Sequence, residues 1–223
     1  MGQLAKINKG NLSEQVYGTI RASLMDGRYT PGERLTIASL AEQLGVSITP
    51  VREAIFRLVS ERALEMRAAT SIHVRRLTAA ELREIQIIRH HLEGEAAAQA
   101  AVKNTMKTLN RLERLQAEFT RAAATDPVEA SELNREFHFA LAEGAEMPML
   151  LATIESMWAQ MGPLIHLYHL NTPPRVLVSG DHGHYHVLRA LRACDASAAR
   201  AAMQADIGVG TVIVDWLEAK GAT

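Results

Sequence analysis

Residues 40–58 read LAEQLGVSITPVREAIFRL, and their apolar spacing decides how the N-terminal part of the chain folds. Ile37, Leu40, Ala41 and Leu44 recur at i, i+3, i+4 and i+7, which is one face of a short helix. Gly45 stands just beyond, where a helix end takes a left-handed residue. Thr49-Pro50 restarts a helix, a capping hydroxyl followed by proline at the first helical position. Val51, Ala54, Ile55, Leu58 and Val59 form its buried stripe. Arg52 and Glu53 therefore face solvent, and Ser47 and Thr49 lie at the exposed tip. Two short helices joined by a tight Gly turn, the second starting with polar and basic groups, have the layout of a helix-turn-helix. An ordinary helical hairpin shows the same pattern, so the flanks decide.

Before this stretch, Leu12 to Met25 is amphipathic with Val16, Ile20 and Leu24 inward, and DGRYTPGERL at 26–35 is a breaker-rich turn. After it, Ala63–Met66 and Ile72–Arg75 read as two short strands around a Ser/Thr-tipped turn, a β-wing. The blocks LSEQVYGTIRASLMDGRYTPGERL, LAEQLGVS and TPVREAIFRL follow one another at the spacing of a known family. The chain here resembles the GntR family of bacterial transcription regulators. That resemblance implies a winged helix-turn-helix DNA-binding domain over residues 12–77, behind a polar, flexible N-terminus of residues 1–11.

The overall charge of −1 hides an asymmetry. Residues 1–77 carry 11 Lys/Arg against 7 Asp/Glu, whereas residues 78–223 carry 13 against 18. The basic part suits phosphate contacts and the acidic part does not. Cys194 is the sole cysteine, which excludes an intrachain disulfide and a thiolate zinc cluster. Nothing at the N-terminus has the form of a signal peptide. The longest stretch without Lys, Arg, Asp or Glu, Ser156 to Pro174, holds a glycine, three prolines and two histidines. It is too polar and too broken to span a bilayer. A cytoplasmic protein without a membrane partner is expected.

From Thr78 onward the pattern is helical throughout. Thr78-Ala79-Ala80-Glu81 is a capping box opening a helix to about Val102. Asn104-Thr105 starts a second helix to about Ala124, with Met106, Leu109, Leu112, Leu115 and Phe119 inward. Asp126-Pro127 starts a third, ending near Gly144, and Pro148 a fourth that fades between Pro163 and Asn171. A fifth is expected from about Pro174 to Ala193, and Asp195 caps a last one from Ala196 to Lys220. The fold class is thus mainly α: a winged helix-turn-helix followed by an all-α six-helix bundle. IRHHLEGEAAAQAA at 88–101, LNREFHFAL at 133–141 and HYHVLRALRACDASAARAAMQADI at 184–207 resemble the FCD domain of the FadR subfamily of GntR regulators. Six helices place it nearest the VanR-like branch. The resemblance implies an effector-binding and dimerisation domain over residues 78–223.

Asn134 and His138, four residues apart, share one helical face, and an oxygen donor with an imidazole can grip one metal ion. The FCD resemblance implies an Asp-x-x-x-His pair joined by a histidine from each of two later helices. Matched by position, the remaining ligands are His184 and Asp206. Asn134 departs from the acidic ligand, and Asp206 stands where the family has histidine. The set suits a divalent transition metal, Zn or Ni first, with open positions for water or a ligand carboxylate; a metal-free polar pocket is the alternative. His182 and His186 form their own i, i+4 pair, read as mainly exposed. His166 and His169 flank a helix end, at the pocket mouth or on the surface. Arg89 lies near an apolar stripe and needs an anion, either Glu93 four residues on, which is favoured, or an effector carboxylate. Arg89, His138, His184 and His166 form the expected effector set, for a sugar acid or a short dicarboxylate.

For DNA, Arg52 projects from the first turn of the recognition helix, the position for a base or phosphate contact. Ser47, Thr49 and nearby amides would hold phosphates. Arg34, Arg67, Thr70, Ser71 and His73 are lesser candidates. Relatives carry Arg where this chain has Ile48 and Gly where it has Ser71. A lone winged domain makes few contacts, so a homodimer on a palindromic operator is expected, with residues 78–124 as a seam. The expected function is that of a repressor responding to an organic acid and a metal. The alternatives are a metal-dependent hydrolase using His138, His184 and Asp206, which leaves the basic helix-turn-helix unexplained, and a sensor for which the metal is the signal.

Overall fold

The computed structural model describes residues 12–67, 71–103, 105–174 and 182–221, and among them ten helices and three strands. Residues 1–11, Asn104, the wing-tip candidate Thr70 and much of the expected start of the fifth bundle helix lie outside the described residues.

The N-terminal part runs α1 (Leu12–Met25), β1 (Arg34–Leu35), α2 (Ile37–Leu44), α3 (Ile48–Ser60), β2 (Leu64–Arg67) and β3 (Ser71–Val74). The Thr36 hydroxyl caps α2 by accepting from the Ser39 amide. Gly45 ends α2 with φ 65°, and its N–H reaches the Ala41 and Glu42 carbonyls. The recognition helix starts earlier than Thr49-Pro50 suggests. Ser47 is its N-cap, without a side-chain cap bond, and Pro50 is its third residue. Proline is tolerated there because the first four N–H groups of a helix have no partner within it. The wing also gains a strand. β3 lies between β1 and β2, with Arg34 opposite His73 and Leu64 opposite Val74. Two residues are too few for β1 to show an alternation. The core takes Val16, Ile20 and Leu24 from α1, Val51, Ile55 and Leu58 from α3, and Leu64, Ile72 and Val74 from the wing.

The bundle comprises α4 (Ala79–Lys103), α5 (Met106–Ala123), α6 (Pro127–Gly144), α7 (Pro148–Leu170), α8 (Gly183–Arg192), α9 (Ala196–Val209) and α10 (Thr211–Gly221). The capping box forms, with the Thr78 and Glu81 amides donating to each other's side chains at 2.9 and 3.2 Å. Seven helices replace the expected six, because the last one divides at Gly210. Glycine is a weak helix former, and the Gly210 carbonyl is taken by the Gln86 amide at 2.7 Å. Conversely, α7 does not fade at Pro163 but continues to Leu170. Its faces are buried on both sides of the proline, at Ile154, Trp158, Ala159, Met161 and Leu164, and that packing outweighs the lost backbone bond.

Helix α7 also joins the two halves. Gly162 lies so close to α1 that a Cβ would stand 2.7 Å from the Met25 Cα and 2.8 Å from the Leu24 carbonyl. Ala159 enters the core of the winged part. Arg21 of α1 pairs with Glu155 of α7, and Asp26 beyond α1 pairs with Arg135 of α6, each at 2.8 Å.

Candidate effector and metal pocket

Helix α6 turns Asn134 and His138 toward a cavity of about 140 Å³, also lined by Arg89, Trp158, His169, His182 and Asp206 among others. His138 is buried, and its Nδ1 meets Glu93 Oε2 at 2.5 Å. His184, fully buried at the start of α8, stacks on Phe137 at 3.8 Å, and its Nδ1 meets Gln116 Oε1 at 2.6 Å. Because a carboxylate and an amide oxygen can only accept, each ring carries a proton on Nδ1. The two Nε2 atoms face the Asp206 carboxylate, at 3.3 Å from His138 and 3.8 Å from His184. These three residues offer ligand atoms within 4.8 Å of one another. Two imidazoles with their far nitrogens anchored, plus a carboxylate, fit a divalent transition metal, and Asn134 adds an amide oxygen in the same cavity.

The surrounding charges interlock. Arg89 donates from Nε to Glu93 Oε1 at 2.6 Å and lies 4.3 Å from the Trp158 ring centre, while the Trp158 N–H reaches the same oxygen at 3.2 Å. The favoured Arg89–Glu93 pair therefore forms, with Arg89 still at the cavity wall. Burial opposes charge on Glu93, but the Arg89 and His138 charges outweigh it and hold the carboxyl down at about 2. Burial would likewise lower His138, but the Glu93 charge and the bonds to Asp206 and Glu93 raise it to about 9. Burial would raise Asp206, yet hydrogen bonding from His138 and the charges of His184, His138 and His182 hold it far below the usual carboxylate range.

Several residues sit other than expected. His182 is not on the surface but caps α8 and lines the cavity, its Nδ1 3.9 Å from Asp206. His186 is exposed and contacts Arg189. His169 lines the cavity, whereas His166 does not: its ring sits against Gly27, where a Cβ would lie 2.1 Å from its Cγ. His184 is one of the three candidate metal donors without being a cavity-lining residue. Gln116, Trp158 and Gly183 were not singled out in the sequence. Gln116 had a signal, an amide at an inward position among Leu112, Leu115 and Phe119. Gly183 is required by close approach, since a Cβ would stand 2.4 Å from Asp206 Oδ1. Gly183→Ala is expected to displace that carboxylate and weaken metal binding about 10–100-fold; unchanged affinity in a chelator competition would refute this.

On the winged part, Ser47, Thr49 and Arg52 are exposed together at the start of α3, beside Ile48, and Phe56 is exposed further along the helix. Arg34 and Arg67 are exposed on the sheet, with Arg67 2.5 Å from Glu65. His73 is engaged within the wing, by the Ser71 hydroxyl at 2.7 Å and the Gly32 carbonyl at 3.1 Å. That contact ties both wing candidates to the fold.

Residues 12–74 match the bacterial regulatory proteins of the gntR family, and residues 81–208 match the FCD domain. The chain belongs to the GntR family, with an FCD domain. This GntR regulator is 36% identical over 196 residues to the HTH-type transcriptional regulator McbR of Escherichia coli K12, covering 87% of this chain and 89% of that protein. It is 25% identical over 194 residues to the HTH-type transcriptional repressor RspR of the same organism, covering 86% and 84%. A solved structure of E. coli McbR/YncC superposes with a TM-score of 0.84 at 34% identity, covering 92% of this chain and 98% of that one. The matched families and these relatives are regulators, so this GntR protein is a DNA-binding transcription regulator and not an enzyme. The hydrolase alternative is thereby set aside. No helix among the described residues is long and apolar enough to cross a membrane.

Proposed function

We propose that this regulator is a homodimeric cytoplasmic repressor, in which residues 12–77 bind a palindromic operator and residues 78–223 bind a small organic acid together with a divalent metal. The observation that carries the reading is the meeting of His138, His184 and Asp206, of which His138 and Asp206 line a cavity that is also lined by Asn134 and Arg89. The name of the repressor RspR supports the sign of regulation. A metal held there supplies a Lewis-acidic site for a carboxylate. His138, His184 and Asp206 would hold it, with Zn or Ni suiting two nitrogens and one or two oxygens.

Signal transfer is supported by two sets of polar contacts that meet on α7. Trp158 and Glu155 share α7, one on Glu93 in the pocket and the other on Arg21 of α1. Arg21 donates to the Tyr17 hydroxyl at 3.0 Å, Tyr17 donates to Glu61 at 2.7 Å, and Glu61 accepts from Arg57 of α3 at 3.2 Å. Tyr17 stays protonated, pushed up to about 12 by burial and its bond to Glu61. Ligand binding can shift operator affinity only through contacts that differ between two states. Arg21→Met is expected to leave metal binding intact and to reduce effector control of operator binding by about 0.5–2 kcal/mol. Unaltered control in a mobility-shift titration would remove Arg21 from the route.

The direct test is binding to duplex DNA from the protein's own promoter at fixed salt. Arg52→Ala is expected to cost about 1–3 kcal/mol there. Equal binding by the variant would deny Arg52 its role, and indifference of the complex to metal and organic acids together would overturn effector control. Release by metal alone, graded with concentration, would identify the ion itself as the signal.

A further inference from the structure

Helix α3 has two exposed edges, and one of them is tied to the rest of the winged part. Glu53 accepts from the Ser13 hydroxyl and Arg57 donates to Glu14 at 2.7 Å, which holds that edge against α1. The other edge carries Ile48, Thr49, Arg52 and Phe56, all exposed. Ile48, Arg52 and Phe56 follow one another at intervals of four, and side chains at that spacing are neighbours on a helix surface. Arg57 pairs with Glu14 and Glu61, whereas no carboxylate among the described residues pairs with Arg52. The Ser47 side chain makes no cap bond, so the positive end of α3 is open on the same side.

Ile48 is out of character there. It is 48% exposed, takes no part in the apolar core of the winged part, and stands between two hydroxyl residues one turn from Arg52. A face that meets DNA is covered by phosphates, sugars and base edges. Against a phosphate, an alkyl group would displace water without replacing its hydrogen bonds. The recognition helix of a helix-turn-helix lies in the major groove. Base edges offer one apolar group there, the C5 methyl of thymine. Isoleucine is branched at Cβ and stiff about χ1, so contact costs it little rotamer freedom.

We propose that Ile48 reads the C5 methyl of a thymine in each operator half-site, beside the group that Arg52 contacts. This rests on the reading of residues 12–77 as an operator-binding domain, and it adds one particular base to that operator. Cytosine at the same position would present an amino donor and no methyl group.

The test is a uracil scan, in which each thymine of the protein's own promoter duplex is replaced in turn and binding of the full-length protein is measured. Uracil pairs as thymine does and lacks only the methyl group. Moving one methyl from water onto an apolar side chain is worth about fourfold in affinity. Uracil at the contacted position of both half-sites is therefore expected to weaken wild-type binding about fifteenfold. In Ile48→Ala the same replacement is expected to change affinity by less than about twofold, which is the coupling that a double-mutant cycle isolates. Ile48→Val, still branched, is expected to keep most of the effect. Alanine is the better helix former, so the exposed start of α3 is retained in the first variant. The slope of log affinity against log salt is expected to stay the same in Ile48→Ala, because no phosphate contact is lost; a shallower slope would overturn the assignment. So would a scan without a sensitive thymine, or a loss equal in wild type and Ile48→Ala, while promoter binding itself stood. An effect abolished by Phe56→Ala and not by Ile48→Ala would move the contact to Phe56 and equally overturn it. Wild-type protein that binds the promoter no more tightly than random duplex would overturn the operator reading as well.

Discussion

Replacing Glu93 with alanine is expected to destabilise the protein by about 3–5 kcal/mol, seen as a fall of roughly 10 °C in the unfolding midpoint. Glu93 is 2% exposed and accepts from three donors: Arg89, Trp158 and His138. Removing it strands a buried guanidinium beside an imidazole that its charge had kept protonated. Buried ion pairs contribute little over apolar replacements, but half of such a pair is costly. Glu93→Gln keeps the volume, yet its amide nitrogen must face one of those donors. Adding Arg89→Met to Glu93→Gln removes the stranded cation and is expected to restore part of the loss. A Glu93→Ala protein within 1 kcal/mol of wild type by denaturant unfolding would show that the network is not structural.

Metal affinity is expected to fall about tenfold for each pH unit below about 9, as far as neutral pH. Without metal, His138 holds a proton between Glu93 and Asp206, raised to about 9 by those partners against the effect of burial. Each ion bound through its Nε2 must displace that proton. The same groups set stability without metal. His138 is raised, so its contribution is complete below its model value of 6.5 and disappears as pH rises through about 9. Glu93 is lowered, so its contribution is present above its model value of 4.5 and disappears as pH falls through about 2. The metal-free protein should therefore be most stable between about pH 4.5 and 6.5, and stabilisation by metal should grow above that range. Chelator competition at several pH values, with calorimetry in buffers of different ionisation enthalpy, checks both. A flat affinity without proton release would mean that His138 is not a ligand.

Local chemistry made much of this molecule legible. Gly45, the Thr78–Glu81 box and Asp126-Pro127 are signals whose physics acts within a few residues, and each ends or starts a helix in the fold. The failures are places where distant packing decides. Pro163 does not end α7 because both its flanks are buried, and Gly210 divides a helix with the help of Gln86, far away in sequence. Of the residues matched by position, Asn134, His138 and Asp206 line one cavity, and His184 lies behind it with its Nε2 3.8 Å from Asp206. The residues orienting them were harder to see. Gln116 and Trp158 were not singled out by any spacing, and only a third dimension turns the Gln116 oxygen to His184 and the Trp158 N–H to Glu93. His182, expected mainly exposed, lines the cavity, and His166, expected at the pocket mouth or on the surface, packs against Gly27, since neither position has a periodicity that distinguishes a cavity from a helix crossing.

Ala159 belongs by chain order to the effector half, yet it fills part of the hydrophobic centre of the winged half. One turn on, Gly162 brings its backbone onto Leu24 and Met25. The halves are consequently not interchangeable parts. A winged segment grafted onto a foreign bundle would carry a hole where Ala159 had been, and almost any other residue at 162 would hold the graft away. Any exchange of either half therefore has to carry α1 and α7 together as a matched pair.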